Sequence, residues 1–249
     1  MIAIIGGSGV YDPNMLQNVQ DIHVDTEYGT ITLKSGSHQG KPVYFLARHG
    51  GKHSVPPHVV NYRRNIKALQ QLNVERIIST SAVGSLRKEM KPGDFVLLDQ
   101  FMDFTKNRHY TFFDDKVVHT DVTNPYCSQL RAIICQAALD TDIPIHPTGT
   151  YVCTEGPRFE TPAEINMFSL LGGHVVGMTN VPEVVLAREA KICYASIATV
   201  TNYAAGISPT RITHQEVIDI MDKNSEVIKK LITTIIEMIP QTKTCECGD

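Results

Sequence analysis

Short apolar runs without the alternation of a half-buried strand are the feature that most constrains the fold of this chain. They occur between segments with helical patterns, at residues 2–5, 42–47, 76–83, 94–99, 149–154 and 192–200. Strands are apolar on both faces when helices cover both sides of the sheet. The sequence therefore predicts a single three-layer α/β domain with a central mixed sheet flanked by helices.

Several segments carry the start signals of helices. Residues 161–164 (Thr-Pro-Ala-Glu) and 213–216 (Thr-His-Gln-Glu) are capping boxes, and the second is followed by apolar residues at a 3.6-residue period as far as Ile235. The same period over Tyr62, Ile66 and Leu69 predicts an earlier helix. Residues 180–183 (Asn-Val-Pro-Glu) are a further start signal, which places Thr179 at a positive helix N-terminus.

Length and charge limit the classes of protein to be considered. The chain has 249 residues and a net charge of −3 without a basic cluster, so we expect no nucleic-acid partner. We place one domain at residues 1–240 and a C-terminal tail at 241–249. The first strand begins at the initiator methionine and no apolar run could span a bilayer, so we expect a cytoplasmic protein without a membrane partner.

Cysteine usage supports an intracellular interpretation. The cysteines lie mostly in apolar segments, as reduced core thiols do, with Cys245 and Cys247 as the exception. Two thiols alone make neither a zinc site nor a disulfide framework. We expect a frayed tail there, and a local redox pair is the alternative.

The first strand runs directly into a glycine loop at residues 6–9 (Gly-Gly-Ser-Gly). Glycines let backbone N–H groups approach an anion closely. A dinucleotide fingerprint fails because Asp12 stands where its third glycine is needed, and no Walker lysine is present. An anion-binding loop and a plain strand-to-turn connection both remain open.

Polar side chains at the ends of several predicted strands could bind an anion. Ser8, Arg48, Ser81 and Thr179 would supply one planar cation and several hydroxyls, a reasonable set of partners for free phosphate. Taken singly, such hydroxyls also cap turns and such an arginine also forms surface ion pairs.

A group of histidines, His49, His53 and His58, is the other polar cluster in this part of the chain. The intervening glycines leave its geometry undefined, and no carboxylate lies within the run. We therefore expect no metal ligation.

Several long motifs resemble, in the same order, those of the trimeric purine nucleoside phosphorylase and methylthioadenosine phosphorylase family. They are IIGGSGVYDP, LARHGGKH, VNYRRNIKAL, TSAVGSLRKEMKPGD, TEGPRFET and GMTNVPEVVLAREAKICYASIATVTN. The resemblance implies the nucleoside phosphorylase fold, a homotrimer or dimer of trimers, and cleavage of a purine nucleoside by inorganic phosphate. It implies no metal or organic cofactor, phosphate being a co-substrate.

The resemblance also implies roles for individual residues. The phosphate site would consist of Ser8, Arg48, His49, Ser81, the backbone N–H of Ala82, and Thr179. Met178 would lie against the ribose and Phe159 would stack on the base. His119 would reach into the site of a neighbouring subunit.

Recognition of the base is expected from Asn202 and Glu160. An amide at Asn202 can donate a hydrogen bond to purine N7 and so make the base a better leaving group, which makes it the candidate catalytic residue. Methylthioadenosine phosphorylases carry aspartates at the positions of Asn202 and Ala204, whereas a carboxylate at Glu160 suits the N1–H of a 6-oxopurine. We therefore expect inosine and guanosine as substrates.

The 5′ end of the sugar separates the remaining alternatives. His214 stands where 6-oxopurine enzymes of the family present a histidine that can bind a 5′-hydroxyl, although a solvent-facing role at the start of a helix is also open. A methylthioinosine or methylthioadenosine phosphorylase is the alternative function. A noncatalytic purine-binding protein is the alternative from another class.

Overall fold

The computed structural model describes residues 1–7, 10, 15–51, 54–208 and 212–248, apart from the side chain of His214. All residues of strand β1 (Ile2–Gly6) are buried, which requires that other elements cover both faces of the sheet. Ala3 and Ile5 pack into the apolar cluster on one face of the sheet, and Ile2 and Ile4 pack into the cluster on the other. Alternating side chains of one strand therefore hold two layers against the sheet.

The sheet is mixed and contains eleven strands within the described residues. Besides β1, the strands are β2 (Gln17–Thr26), β3 (Gly29–His38), β4 (Lys41–Ala47), β5 (Arg76–Ser85), β6 (Phe95–Leu97), β7 (Gln100–Phe104), β8 (Ile145–His146), β9 (Thr150–Thr154), β10 (Val175–Gly177) and β11 (Cys193–Tyr203). The main path of the sheet runs β2-β3-β4-β1-β5-β10-β9-β7, while β11 pairs with β5 and with β6, and β6 pairs with β8.

Helices cover both faces, which confirms the predicted three-layer class. Buried apolar side chains of α1 (Tyr62–Gln71) and α4 (Asn180–Glu189) belong to the cluster on one face, and those of α2 (Ser128–Asp140) and α5 (His214–Met238) to the cluster on the other. A short 3-10 helix (Pro57–Val59) precedes α1. Helix α3 (Pro162–Leu170) packs through Ile165 and Phe168 on a smaller cluster beside β9 and β10.

Two predicted helix starts are confirmed as capping boxes. Thr161 accepts from the Glu164 backbone N–H and Thr213 from that of Glu216, and each glutamate side chain accepts from the backbone N–H of its threonine. The start of α4 differs slightly from the prediction, because Thr179 rather than Asn180 is the N-cap residue. Val181 has a non-helical backbone (φ −108°, ψ 131°), so a kink separates Thr179 from the regular turns of α4, and its predicted place at a positive helix N-terminus is wrong.

Strands β2 and β3 and helix α2 were not expected from the sequence pattern. Strand β2 has no fully buried position and is rich in polar residues, so it lacks the apolar signal of the central strands. Helix α2 is capped by the thiol of Cys127, a residue that is not a usual N-cap. Within the described residues, every helix is too short or too polar to cross a membrane.

The C-terminal tail is packed, so the expectation of a frayed tail is wrong. Cys247 is only 7% exposed and belongs to the same apolar cluster as α2 and α5, against which Cys245 also packs. The Lys191 ammonium group donates to the Gly248 carbonyl at 3.1 Å. Sequence pattern alone missed this contact because the partners lie far away along the chain.

Candidate active site

A cavity of about 450 Å³ lies where β4, β5, β10 and β11 approach one another. It brings together the predicted site residues Arg48, His49, Ser81, Ala82, Phe159, Glu160, Met178, Thr179 and Asn202. These residues come from segments that are distant in the sequence. The cavity is therefore a product of the sheet topology.

Part of one edge of β5 has no neighbouring strand at this cavity. Strand β1 pairs with β5 in parallel only as far as Ser79, and β10 pairs with the same strand in the antiparallel sense at Gly84 and Ser85. Residues 80–83 thus lie between the ends of two neighbouring strands. Ser81 and Ala82 were predicted at a strand end, but β5 continues to Ser85, so they lie within the strand at a gap in its pairing. Ligands of α/β sheets bind at such switch points.

Backbone geometry directs the Ala82 N–H toward this gap. The N–H and C=O groups of a strand residue point to the same edge, and the pattern repeats every second residue. The Thr80 carbonyl accepts from Arg48 Nη1 at 2.9 Å on the side of β1, so the Ala82 N–H lies on that side as well. This agrees with the role expected for Ala82.

Ser81 adds a hydroxyl to the same gap. It is 4% exposed, it lines the cavity, and its Oγ has no hydrogen-bond partner among the described residues. A buried hydroxyl without a partner costs free energy, typically about 1–3 kcal/mol. Ligand oxygens in the cavity would remove that cost.

Arg48 lines the cavity, but most of its guanidinium contacts the protein. Its Nε and Nη2 donate to the two carboxylate oxygens of Glu183 at 2.6 and 2.7 Å, and Nη2 also donates to Ser79 Oγ at 2.6 Å. The side chains of both ions are at most 1% exposed. Burial by itself would lower the pKa of Arg48, but the Glu183 carboxylate raises it above its ordinary value, so the cation is permanent.

Glu183 is the site residue that sequence reasoning missed. Its carboxylate accepts from Arg48, from Ser79 Oγ at 3.1 Å and from the Tyr194 hydroxyl at 2.8 Å. A signal was present, because a single glutamate stands within the apolar run of residues 181–187. A charge buried in such a run must be paired.

Close packing explains why the loop has a glycine at position 7. A Cβ at this position would lie 2.5 Å from the Thr80 carbonyl oxygen and 2.8 Å from Arg48 Nη1. The Gly7 N–H donates to Thr80 Oγ1 at 3.1 Å, so this N–H is engaged by the protein. Ser8 and Gly9, the next residues of the loop, lie outside the described residues.

A second glycine, Gly156, leaves the space that the Met178 side chain occupies at the cavity wall. A Cβ on Gly156 would lie 2.6 Å from Met178 Sδ, and Gly156 has a φ of +68°. Both the space and the backbone conformation therefore require glycine here. Thr179 follows Met178 and also lines the cavity.

A bulge in β11 presents two consecutive residues to the cavity. The pairing with β5 shifts register between Val200 and Asn202, and Thr201 and Asn202 both line the cavity. In a regular strand they would point to opposite faces. Thr201 Oγ1 lies 2.9 Å from Asn202 Oδ1, and Asn202 Nδ2 donates to the Tyr203 carbonyl at 2.9 Å, so the amide orientation is defined.

Glu160 and Phe159 form the wall near helix α3. The Glu160 side chain accepts from Thr154 Oγ1 at 2.6 Å, and burial raises its pKa above the ordinary value of 4.5. Phe159 is 42% exposed, so its ring has a free face. An aromatic face beside a carboxylate and an amide suits a planar heterocycle with polar edges.

Three predicted site residues are not brought to the cavity by the described structure. Ser8 and the side chain of His214 lie outside the described residues, although Val217 in the first turn of α5 does line the cavity. His119 is exposed in the long connection between β7 and α2. Its expected contact is with another subunit, and it stays a prediction.

The fold is that of an α/β protein. Its cavity carries a cation and hydrogen-bond donors at one end, and an aromatic ring, a carboxylate and an amide at the other. The chain belongs to the Phosphorylase superfamily, whose family model matches residues 1–237. The resemblance predicted from the motifs is thereby confirmed.

Individual relatives match over almost the whole chain. A probable 6-oxopurine nucleoside phosphorylase from Dictyoglomus turgidum is 59% identical over 99% of this chain and 94% of its own length. A 6-oxopurine nucleoside phosphorylase from Pyrococcus furiosus is 54% identical over 100% of this chain and 96% of its own length. The solved structure of a methylthioadenosine phosphorylase from Schistosoma mansoni with adenine has a TM-score of 0.93 at 36% identity, covering 97% of this chain and 92% of that one.

Glu183→Gln tests the buried ion pair. We expect this variant to lose about 3–5 kcal/mol of unfolding free energy, because the Arg48 cation is left buried without a countercharge. Urea denaturation measures the loss. Glu226→Gln is the matched control, since Glu226 is 82% exposed in its ion pair with Lys229 and such pairs contribute little. Equal unfolding midpoints for the two variants would contradict this assignment.

Proposed function

We propose that the protein cleaves 6-oxopurine nucleosides, inosine and guanosine, with inorganic phosphate to give the free base and ribose 1-phosphate. The observation that carries the proposal is the cavity itself. It places the open edge of β5 with Arg48 in the same space as Phe159, Glu160 and Asn202. The names of the most similar relatives support the same reaction.

Phosphate binding is assigned to the gap in the sheet. The Ala82 N–H and the hydroxyls of Ser81 and Thr179 supply neutral donors. Arg48 supplies a fixed cation whose position is set by Glu183. Preorganised donors of this kind need no rearrangement when charge develops in the transition state.

Cleavage then needs no covalent intermediate with the protein. As the bond between ribose and base stretches, the sugar becomes oxocarbenium-like, and the bound phosphate anion stabilises this positive charge before it attacks the anomeric carbon. The departing purine gathers negative charge. A hydrogen bond from the Asn202 amide to N7 stabilises that charge and lowers the barrier.

Preference for a 6-oxopurine is assigned to Glu160. Its carboxylate accepts from N1–H of hypoxanthine or guanine and, in guanine, from the 2-amino group as well. Adenine has no N1–H, so a buried carboxylate facing its N1 would be left unpaired. Phe159 would stack on the base and Met178 would lie against the ribose.

A second candidate is a phosphorylase for 5′-methylthioinosine. The observation that favours it is the apolar pair Ile212 and Val217, which lines the cavity at the start of α5. Apolar side chains suit a methylthio group, whereas a histidine at position 214 would suit a 5′-hydroxyl. The two candidates share the base and the phosphate and differ only at the 5′ end of the sugar.

Assembly and location complete the proposal. We infer a cytoplasmic homotrimer, or a dimer of trimers, that uses phosphate as co-substrate and no cofactor. Val117 and Val118 are 84% and 43% exposed beside His119. An exposed apolar pair next to the residue expected to enter a neighbouring site supports a subunit interface there.

The direct experiment incubates the protein with inosine in the presence and absence of phosphate and measures free hypoxanthine. Phosphate-dependent release supports phosphorolysis, whereas binding of base without release would identify a noncatalytic purine-binding protein. A parallel measurement of kcat/KM for 5′-methylthioinosine separates the two candidates. A higher value for the thioether than for inosine would favour the second.

Ser81→Ala tests the phosphate site. We expect the KM for phosphate to rise about tenfold or more, because one hydrogen bond to a charged ligand is lost, while the KM for inosine changes little. Thr199→Val is the matched control. Thr199 Oγ1 is also buried without a partner among the described residues, yet Thr199 is not part of the cavity wall. An unchanged phosphate KM in Ser81→Ala would remove Ser81 from the site.

Glu160→Gln tests recognition of the base. We expect kcat/KM to fall about 10- to 100-fold for guanosine and less for inosine, because guanine offers two donors to the carboxylate. Glu27→Gln, at an exposed position in an ion pair with Lys67, is the control. Equal losses for the two nucleosides would contradict the expected contact with the 2-amino group.

The pH dependence follows from the same side chain. Burial raises the Glu160 pKa above 4.5, so the protonated form accumulates as the pH falls toward that raised value. The protonated carboxyl accepts poorly from N1–H, so the KM for guanosine should rise on the acid side. Glu160→Gln should lack this dependence, and an identical acid-side rise in wild type and variant would assign it to another group.

A further inference from the structure

A cluster of four cysteines lies on the face of the sheet covered by α2 and α5. Cys127, Cys193, Cys245 and Cys247 have Sγ atoms that all lie within 4.8 Å of one another. Cys193 and Cys245 are the pair at 3.3 Å. All four are free thiols, and three of them are buried while Cys245 is half-buried. The phosphate and base residues described above do not belong to this cluster.

The distances suit tetrahedral coordination of one ion. Four ligands at the usual Zn–S length of about 2.3 Å lie about 3.8 Å from one another, a spacing that the cluster can reach with small side-chain adjustments. A ligand set of four sulfurs selects zinc or iron–sulfur chemistry over harder cations. Cys245 and Cys247 are separated by one residue, and the other two ligands come from the body of the domain.

Hydrogen bonds from the surrounding structure fix the position of Cys127 within the cluster. Its side chain caps α2, a helix of 13 residues, and the Leu130 N–H donates to its Sγ at 3.5 Å. The backbone of the same residue is also fixed, because the Cys127 N–H donates to the Tyr194 carbonyl at 2.8 Å, beside Cys193.

The surroundings suit a structural site better than a catalytic one. The cluster is set among apolar side chains of the core that contains Leu130, Ile134 and Ala195. The Lys191 ammonium group beside it holds the Gly248 carbonyl of the tail. Four protein ligands would leave no position open for a substrate, as in structural zinc sites.

We propose that these four cysteines bind one Zn²⁺ ion and thereby fasten the C-terminal tail to the start of α2 and the start of β11. Binding forms four Zn–S bonds and releases the four thiol protons to solvent. The site departs from the expectation that the protein carries no metal. It is independent of the proposed reaction, because phosphorolysis does not pass through it.

The test measures zinc in protein purified with a reductant, supplied with Zn²⁺ alone and then desalted. We expect about one Zn²⁺ per chain in the wild type and in Cys135→Ser, whose cysteine lies outside the cluster, and almost none in Cys245→Ser/Cys247→Ser. Substitution with Co²⁺ should give the thiolate charge-transfer bands of a tetrahedral four-sulfur site in wild type and control only. Zinc in equal amount in all three proteins would place it elsewhere and overturn the proposal.

Stability provides a second readout that does not depend on the variants. Removing zinc from the wild type with a chelator under reducing conditions should lower Tm, and adding Zn²⁺ back should restore it. Intact mass and thiol counting establish whether the cluster cysteines are free thiols or disulfides. A reduced protein with four titratable cluster thiols that fails to retain zinc would refute the site. A protein in which the cluster cysteines form disulfides and bind no zinc would also refute the proposed zinc site.

Discussion

The buried pair of Arg48 and Glu183 is the interaction on which the rest of the site depends. Two charges removed from water are costly unless their hydrogen-bonding groups are satisfied. Here the carboxylate accepts from the guanidinium, from Ser79 and from Tyr194, so the end of β4, strand β5, helix α4 and strand β11 meet at one point. The pair therefore holds the elements that carry the cavity at fixed positions.

Two interruptions of regular pairing shape the cavity above that pair. The gap beside residues 80–83 of β5 exposes backbone donors, and the bulge in β11 turns Asn202 toward the same space as Thr201. Uninterrupted ladders would have satisfied these groups within the sheet. The site thus combines polar groups that the fold leaves available with the charged side chains of Arg48 and Glu160.

The division of roles that we propose within the cavity would let one fold serve different nucleosides. Relatives named for 6-oxopurine nucleosides and for methylthioadenosine share this chain's length and architecture. The proposed phosphate site relies on main-chain geometry and on a buried ion pair, which side-chain changes at the other end of the cavity do not disturb. In the function we propose, base preference rests on a few side chains, Glu160 and Asn202 here, and follows from the site rather than from the fold.

Sequence alone determined the features that depend on local pattern. The apolar run of β1 requires cover on both faces, and the capping boxes at Thr161 and Thr213 start helices where they were predicted. Tertiary structure decided which distant residues meet. Glu183 looked like a helix-start residue until Arg48 was placed against it, and Cys245 and Cys247 looked like an isolated pair until Cys127 and Cys193 were found beside them. Periodicity and capping act over a few residues of chain, whereas ion pairing and sulfur clustering depend on distances that only the packed sheet and helices define.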